Sequence, residues 1–244
     1  MSTLTFVFCL SFMLVSVACQ SCDLPPSLWC SSPEIAKRCN VSDVCKTYLS
    51  PATENSKVTV SVYYESRCPF SIKFLLDQVM KAFAKVGDIM TVDLVPFGNS
   101  HVRKIGSKVV FTCQHGPTEC AANIVETCAV RLLPVKQHLP LIACISYQFI
   151  HGVKPASAYK ICADKQQIDM KPILACSQSD QGVNFQKDMA TRTNRLNPHK
   201  SYVPWIVVNG VHTQSINNKA RTNLIQLVCD TYKGSDKPAA CSKS

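Results

Sequence analysis

Fifteen cysteines in 244 residues constrain this chain more than any other feature of its sequence. A reducing cytosol keeps thiols unpaired unless a metal holds them, so this density indicates folding in an oxidising compartment with disulfide bonds. A hydrophobic fraction of 46% with only 8 glycines excludes a disordered or fibrous chain. The length allows one domain of ordinary size and a small additional module.

The positive charge is spread along the chain: 26 Lys and Arg against 16 Asp and Glu give a net charge of +10. The densest basic patch has no interleaved aromatic residues; it consists of Lys187, Arg192, Arg195 and Lys200. We therefore expect a solvated basic surface with some affinity for acidic partners, and no nucleic-acid partner.

The N-terminal residues 1–20 contain no charged side chain, and their apolar run is short for a membrane span. Small residues at Ser16 and Ala18 offer a cleavage site, which favours a secretory signal peptide over residues 1–20. The alternative is an uncleaved anchor. No later apolar segment is long enough to cross a bilayer, so we expect no transmembrane segment.

A small cysteine-rich module is predicted at residues 21–49. Its cysteines are Cys22, Cys30, Cys39 and Cys45. So short a segment buries too little apolar surface to fold alone, so two disulfides are expected to hold it. A zinc site is the alternative, although the segment has no histidine. The Pro-x2-Trp-Cys start and the later cysteine spacing resemble a saposin A-type module, which makes this segment a candidate contact for lipid or for lysosomal sorting.

Two further features belong to this part of the chain. Asn40-Val41-Ser42 is a sequon, which makes Asn40 a candidate glycosylation site. Polar and turn-forming residues at 50–57 predict a linker, and this places a second domain at residues 58–244.

The second domain opens with a candidate nucleophile. Residues 58–64 are rich in β-branched and aromatic side chains and predict a buried strand. Apolar residues at helical spacing follow, so Cys68 lies between a strand end and a helix whose first position is Pro69. Unpaired amide groups at a helix N-terminus favour a thiolate, and Arg67 acts in the same direction. The alternative is that Cys68 forms a structural disulfide.

The remaining strands predict a thioredoxin plan. A strand at residues 90–97 completes a βαβ unit, and about 100 residues of mostly helical pattern follow. Asn209-Gly210 between apolar runs predicts a hairpin, and a last helix is predicted over residues 217–232. A βαβ half followed by a ββα half is the arrangement of thioredoxins.

In that plan a proline opens the third strand. The Val203–Pro204 bond would then be cis and opposite Cys68, with the Val203 backbone pairing with an extended substrate. The alternative is an ordinary proline at the start of a strand.

A distinctive motif lies near the start of the insertion, which spans about residues 100–200. It fits Cys-Gln-His-Gly-x2-Glu-Cys-x2-Asn-x4-Cys at Cys113, Gln114, His115, Gly116, Glu119, Cys120, Asn123 and Cys128. The spacing of Cys120, Ile124 and Cys128 predicts one buried stripe of a helix. A metal site at Cys113, His115 and Cys120 is the alternative, but in a secreted chain we expect disulfides and no metal.

This motif resembles that of the gamma-interferon-inducible lysosomal thiol reductases, and the similarity continues through residues 202–210 and Leu227-Val228-Cys229 to cover roughly residues 58–241. The resemblance implies an α/β, thioredoxin-like fold with a large helical, disulfide-bonded insertion. It also implies secretion, delivery to lysosomes and reduction of disulfide-containing protein substrates at acid pH. A role in antigen processing or host defence is implied as well.

The active site departs from the family pattern, because residues 68–71 are Cys-Pro-Phe-Ser instead of Cys-x-x-Cys. In a dithiol reductase the second thiolate resolves the mixed disulfide formed by the first, and Ser71 cannot do this. We therefore expect a monothiol reductase or isomerase with no bound cofactor, which takes cysteine or glutathione as an external reductant. The Ser71 hydroxyl is expected to hydrogen-bond the Cys68 thiolate. The alternative is a non-catalytic secreted protein that traps partners or binds microbial or lipid surfaces.

Cysteine parity bears on the position of signal cleavage. Cleavage after Ala18 leaves 14 cysteines, and setting Cys68 aside leaves 13, which cannot all pair. Cleavage between Cys19 and Cys22 leaves 13 cysteines, and setting Cys68 aside leaves six pairs, so parity favours the later cut. Two pairs would lie in the small module and four in the larger domain, with connectivity open. Besides the motif cysteines, the candidates are Cys22, Cys30, Cys39, Cys45, Cys144, Cys162, Cys176, Cys229 and Cys241.

Overall fold

The computed structural model describes residues 32–43, 45 and 57–242. The predicted signal peptide, Cys22, Cys30 and the linker up to residue 56 lie outside the described residues. In the part that is described, no helix is both long and apolar enough to cross a membrane.

The described part of the small module contains a short helix, α1 (Pro33–Arg38), and residues 42, 43 and 45 are also helical. The Ser32 hydroxyl caps it by accepting a hydrogen bond from the Ile35 amide at 3.2 Å. Three residues form its buried cluster: Ala36, Val41 and Cys45. Cys39 and Cys45 each take part in a disulfide bond. Asn40 is exposed; its glycosylation and the saposin-type nature of the module stay predictions.

A three-stranded sheet forms the centre of the larger domain. Strand β1 (Val58–Tyr64) lies in the middle and pairs in parallel with β2 (Met90–Pro96). The predicted strand at 58–64 is thus confirmed. Helical segments connect β1 to β2: α2 (Pro69–Phe74), a π-helical turn (Leu75–Val79) and α3 (Met80–Val86).

The insertion between the two halves begins with an exposed hairpin, made of β3 (His101–Ile105) and β4 (Lys108–Thr112). The sequence indicated mostly helices here, so this hairpin is a departure from expectation. The helices that follow are α4 (Pro117–Leu132), α5 (Val135–Ile150), α6 (Pro155–Gln166), α7 (Lys171–Ser177) and α8 (Asp180–Asn194).

The second half of the fold returns to the central sheet with β5 (Trp205–Val208), antiparallel to β1, and ends with α9 (Gln214–Thr231). The strand order β2-β1-β5 and the flanking helices make this a thioredoxin-like fold with a helical insertion.

The hairpin predicted at Asn209-Gly210 forms only in part. Both residues have positive φ, 47° and 81°, but the returning strand is a single bridge from Val208 to Val211. The Thr213 hydroxyl already caps α9 by accepting from the Ile216 amide at 3.0 Å. The chain therefore turns into the last helix before a second strand can extend.

Four disulfides lie within residues 57–242: Cys113–Cys120, Cys128–Cys176, Cys144–Cys162 and Cys229–Cys241. This agrees with the four pairs expected for the larger domain. Two of them join neighbouring helices of the insertion, α4 to α7 and α5 to α6. Among the described cysteines only Cys68 is a free thiol, so the alternative of a structural disulfide at Cys68 is wrong.

The buried stripe of α4 differs from the prediction. Cys120 and Ile124 are only half-buried. Besides Thr127, the fully buried positions include three polar residues, Glu119, Asn123 and Glu126. Periodicity read from apolar residues missed this face, because these polar side chains are buried against backbone and hydroxyl groups of the sheet and its loops.

Glu126 connects this polar face to the central strand. The Tyr64 hydroxyl donates a hydrogen bond of 2.6 Å to Oε2 of Glu126. The other carboxylate oxygen, Oε1, is buried and has no partner among the described residues. Burial raises the pKa of Glu126 from 4.5 to about 8.

This raised pKa predicts that Glu126 contributes more to stability in acid than at neutral pH. Because the folded state holds the Glu126 proton more tightly than the unfolded state, its contribution is full below pH ~4.5 and is lost as pH rises towards ~8. Glu126→Gln keeps an acceptor for Tyr64 and cannot ionise, and the buried histidines contribute equally to both proteins. The urea midpoint of the wild type relative to that of Glu126→Gln should therefore fall between pH 5 and pH 8. Asp188→Asn, which changes an exposed carboxylate, should keep the wild-type slope; an equal slope in Glu126→Gln would contradict the prediction.

Candidate active site

Cys68 occupies the N-cap position of α2, four residues after the end of β1. Its amide donates to the Glu65 carbonyl at 3.3 Å, and its own carbonyl accepts from the Ile72 amide at 2.9 Å. Pro69 stands at the first helical position, where a missing amide proton costs least. The thiol is only 5% exposed. The predicted strand, cysteine, proline and helix are therefore present in that order.

Ser71 does not form the hydrogen bond to Cys68 that the sequence suggested. The residue is 1% exposed, and its hydroxyl has no hydrogen-bond partner among the described residues. The reason is its place on the buried side of α2, together with Ile72 and Phe74. A cysteine at this position would sacrifice no hydrogen bond, because a thiol behaves as a small apolar group.

The Val203–Pro204 peptide bond is cis, the configuration that the thioredoxin plan implies. It immediately precedes Trp205, which pairs with Tyr63 near the end of β1. Cys68 follows that same end of β1, so Val203, Pro204 and Cys68 lie at one edge of the sheet. The role of Val203 in binding substrate stays a prediction.

A stacked ring pair lies next to this proline. The Trp205 and His212 rings stack with centroids 3.4 Å apart, and Nδ1 of His212 pairs with the Ile206 carbonyl at 2.7 Å. Burial lowers the pKa of His212 to about 4. The stacked imidazole is therefore uncharged in mildly acidic solution, and it fixes the start of β5.

The family motif lies against the loop that precedes Cys68. Asn123 accepts a hydrogen bond from the Ser66 amide at 3.0 Å through Oδ1. Its Nδ2 donates to the Ser100 hydroxyl at 3.4 Å, and the Ser66 hydroxyl donates to the Glu119 carbonyl at the same distance. The N-terminal part of α4 therefore fixes the backbone two residues before the nucleophile.

A second set of contacts joins Glu65, His115 and Glu119. Nδ1 of His115 lies 2.6 Å from Oε2 of Glu119 and 3.4 Å from Oε2 of Glu65. The remaining carboxylate oxygens accept from backbone amides, Glu119 from His115 at 3.0 Å and Glu65 from Asn99 at 2.6 Å. Burial raises the pKa of Glu65 above its ordinary value. These are the described residues whose donor atoms could hold a metal ion.

The other motif residues hold the loop around residue 114. Gln114 accepts from Nδ2 of Asn99 at 2.9 Å, and Gly116 has φ +83° at the N-cap of α4, a backbone conformation that favours glycine. Cys113 and Cys120 are bonded to each other. This bond rules out the alternative in which both thiolates ligate a metal with His115.

Arg67 extends away from the motif. Its guanidinium carbon lies 4.8 Å from the centre of the Phe149 ring on α5. This cation–π contact joins the active-site loop to a third element, besides α4 and the sheet.

Residues 59–166 match a family model described as gamma interferon inducible lysosomal thiol reductase. A protein called gamma-interferon-inducible lysosomal thiol reductase from Carassius auratus is 37% identical, with 100% of this chain and 93% of that protein covered. The protein of the same name from Mus musculus is 32% identical, with 88% and 84% covered.

Among solved structures, the oxidoreductase DsbA from Xylella fastidiosa is similar with a TM-score of 0.46 and 14% identity, over 73% of this chain and 88% of that one. The thioredoxin-like fold follows from the strand order and the helices described above, independently of this similarity.

The Asn123 contact predicts a measurable cost of its removal. Asn123→Ala leaves the buried Ser66 amide without its acceptor, which should lower the free energy of unfolding by about 1–3 kcal/mol. Urea denaturation followed by circular dichroism measures this. Asn184→Ala on the exposed side of α8 is the matched control and should change stability by less than about 0.5 kcal/mol. Equal stability of the two variants would show that the contact does not hold the loop.

Proposed function

The chain belongs to the gamma interferon inducible lysosomal thiol reductase family of thiol-disulfide oxidoreductases, and we propose that it reduces protein disulfides by a monothiol route through Cys68. One observation carries the proposal. Every cysteine within residues 57–242 except Cys68 is disulfide-bonded, and position 71 holds serine. The described residues therefore offer one attacking sulfur and no second thiol to resolve its product.

The reaction then needs two external thiols. The Cys68 thiolate attacks one sulfur of the substrate disulfide, the S–S bond breaks, and the departing sulfur takes up a proton. An external thiolate attacks the Cys68 sulfur of this mixed disulfide and releases the second substrate thiol. Another external thiolate attacks the small-molecule sulfur now joined to Cys68, which frees Cys68 and leaves the oxidised small disulfide. If a second substrate thiol attacks the mixed disulfide instead, the outcome is isomerisation.

The surface beside Cys68 favours an extended substrate. Phe70 is 65% exposed next to the shielded thiol. A groove runs along the helix from this residue, lined by Phe70, Lys73, Phe74, Asp77, Gln78 and Arg221. Its mixture of aromatic and charged groups suits an unfolded polypeptide, and the Val203 backbone is the proposed pairing partner at the other side of the thiol.

We place the activity in an acidic, lysosomal compartment, with support for antigen processing or host defence. The relatives from Carassius auratus and Mus musculus carry the word lysosomal in their names. The buried, proton-binding Glu126 favours the folded state at low pH. Secretion, glycosylation at Asn40 and a lipid or sorting contact through the N-terminal module complete the proposal.

The decisive experiment measures turnover of a disulfide-bonded protein at about pH 5 with cysteine or glutathione as reductant. Wild-type activity should require Cys68, so that Cys68→Ser falls to the uncatalysed rate. Ser71→Cys supplies a resolving thiol, so its rate should rise several-fold at low external thiol and depend less on reductant concentration. The thermal midpoint of Ser71→Cys should equal or exceed that of the wild type, because no hydrogen bond is lost.

Ser146→Cys is the matched control for the added thiol. Ser146 is also buried with an unpartnered hydroxyl, but it lies on α5. Its cysteine variant should leave turnover at the wild-type level. If wild type and Cys68→Ser were equally slow while Ser71→Cys gained activity, the natural protein would not be a reductase, and the trapping or surface-binding function would replace it.

A further inference from the structure

We propose that Glu65, His115 and Glu119 form a zinc-binding site beneath the active-site loop. The three ligand atoms, one imidazole nitrogen and two carboxylate oxygens, lie within 4.8 Å of one another. Oε2 of Glu65 is buried and has no hydrogen-bond partner among the described residues, although it points to the same space as the other two. This buried oxygen lies at ion-pair distance from His115 but accepts no hydrogen bond, and that distinguishes the cluster from an ordinary hydrogen-bonded ion pair.

The two carboxylates are held in a way that leaves one oxygen of each available. Oε1 of Glu65 accepts from the Asn99 amide and Oε1 of Glu119 accepts from the His115 amide, while both Oε2 atoms face Nδ1 of His115. Outer hydrogen bonds of this kind orient metal-binding carboxylates in known sites. Glu65 packs directly over Gly98, where any Cβ would lie 2.3 Å from the Glu65 Cγ.

The charge balance of the cluster calls for a cation. Both glutamate side chains have 0% exposure, whereas the His115 side chain is 33% exposed. Within the described residues, no Lys or Arg nitrogen forms a salt bridge with either carboxylate. The charge of Lys200 acts on Glu65 only from a distance, and its ammonium group donates to Oδ1 of Asn99 at 2.7 Å. Two buried carboxylates are stabilised by a bound cation more fully than by a single imidazolium.

The ligand set fits zinc best. Zinc takes nitrogen and oxygen ligands at about 2.0–2.2 Å in a tetrahedron, so that ligand atoms are roughly 3.3 Å apart. The His115–Glu65 spacing of 3.4 Å already has this value, and the His115–Glu119 spacing must open from 2.6 Å as zinc replaces the proton between them. Calcium and magnesium prefer oxygen ligands alone, whereas the imidazole nitrogen of His115 favours zinc. The exposed side of His115 leaves the fourth position to water.

Such a site would join the loop before Cys68 to the start of α4. It lies outside the thiol chemistry, because Glu65 is three residues before Cys68 and none of the three ligands is a sulfur atom. It also revises the sequence expectation of no metal. Of the three residues in the alternative metal site, Cys113, His115 and Cys120, only His115 is a ligand in this proposal.

The test measures zinc binding by isothermal titration calorimetry at neutral pH, with the full secreted chain carrying Cys68→Ser so that the free thiol does not bind metal. We expect one zinc ion per chain at micromolar protein. His115→Gln and Glu119→Gln should each weaken binding by at least about tenfold, the lower end of the loss seen when a site's outer partners are removed. His151→Gln is the matched control, since Nδ1 of His151 contacts only the Tyr147 carbonyl, and it should bind as the parent does.

A second readout identifies the ligands. Cobalt(II) added in place of zinc should give visible absorption bands of a four-coordinate nitrogen and oxygen site in the parent protein, and these bands should be absent in His115→Gln. His115 is partly exposed, so this variant is expected to fold, and near-ultraviolet circular dichroism checks it; if Glu119→Gln does not fold, His115→Gln decides alone. Absence of zinc binding in the parent, or binding that His115→Gln leaves unchanged, would overturn the proposal.

Discussion

The hydrogen bond from the Ser66 amide to Asn123 is the interaction on which the site depends most. A nucleophile at a helix N-terminus is useful only if the preceding loop has one conformation, and that loop has no regular secondary structure of its own. The polar face of α4 supplies the missing partners, with Asn123 under Ser66 and the Glu119 carbonyl beside the Ser66 hydroxyl. Because all these groups are buried, each unmade bond would cost the full desolvation of its atoms, which gives the loop a single arrangement.

Much of the central fold followed from the sequence because its residues carry strong local signals. The strand at 58–64 corresponds to a β-branched run, and the helix after Pro69 corresponds to helical periodicity. The cis bond before Pro204 was predicted from the thioredoxin plan. The four disulfides of the larger domain followed from parity, but their pairing did not, since it depends on which helices meet in space. The hairpin at 101–112 was missed because it is exposed apart from the half-buried Val109 and Phe111, so its sequence shows no regular alternation of apolar and polar residues.

The nucleophile of the site could be predicted from the sequence, but the contacts that hold its loop could not. Cys68 could be recognised from local context, and the motif marked Glu119 and Asn123. Their burial, and the role of Glu126, could not be predicted, because polar residues at helical spacing ordinarily mark a solvated face. Only the arrangement of loops above α4 shows that their partners are buried as well. The π-helical turn at Leu75–Val79 likewise could not be predicted from the sequence. Its Gln78 side chain accepts from the Leu224 amide at 3.2 Å, where α9 is interrupted at Asn223, and no single-sequence pattern predicts such a match between distant elements.

The family motif and residues 68 and 71 therefore have separate functions. The motif residues contact the backbone and loops around Cys68. Among the described residues, none of these contacts involves Ser71 or requires a second thiol. Replacing the resolving cysteine by serine changes one buried atom from sulfur to oxygen and leaves this support intact. The scaffold that positions Cys68 can thus persist unchanged whether the sulfur intermediate is resolved from within the chain or by an external thiol. The chemistry of residue 71 decides the route of turnover, while the buried face of α4 decides whether the nucleophile is positioned at all.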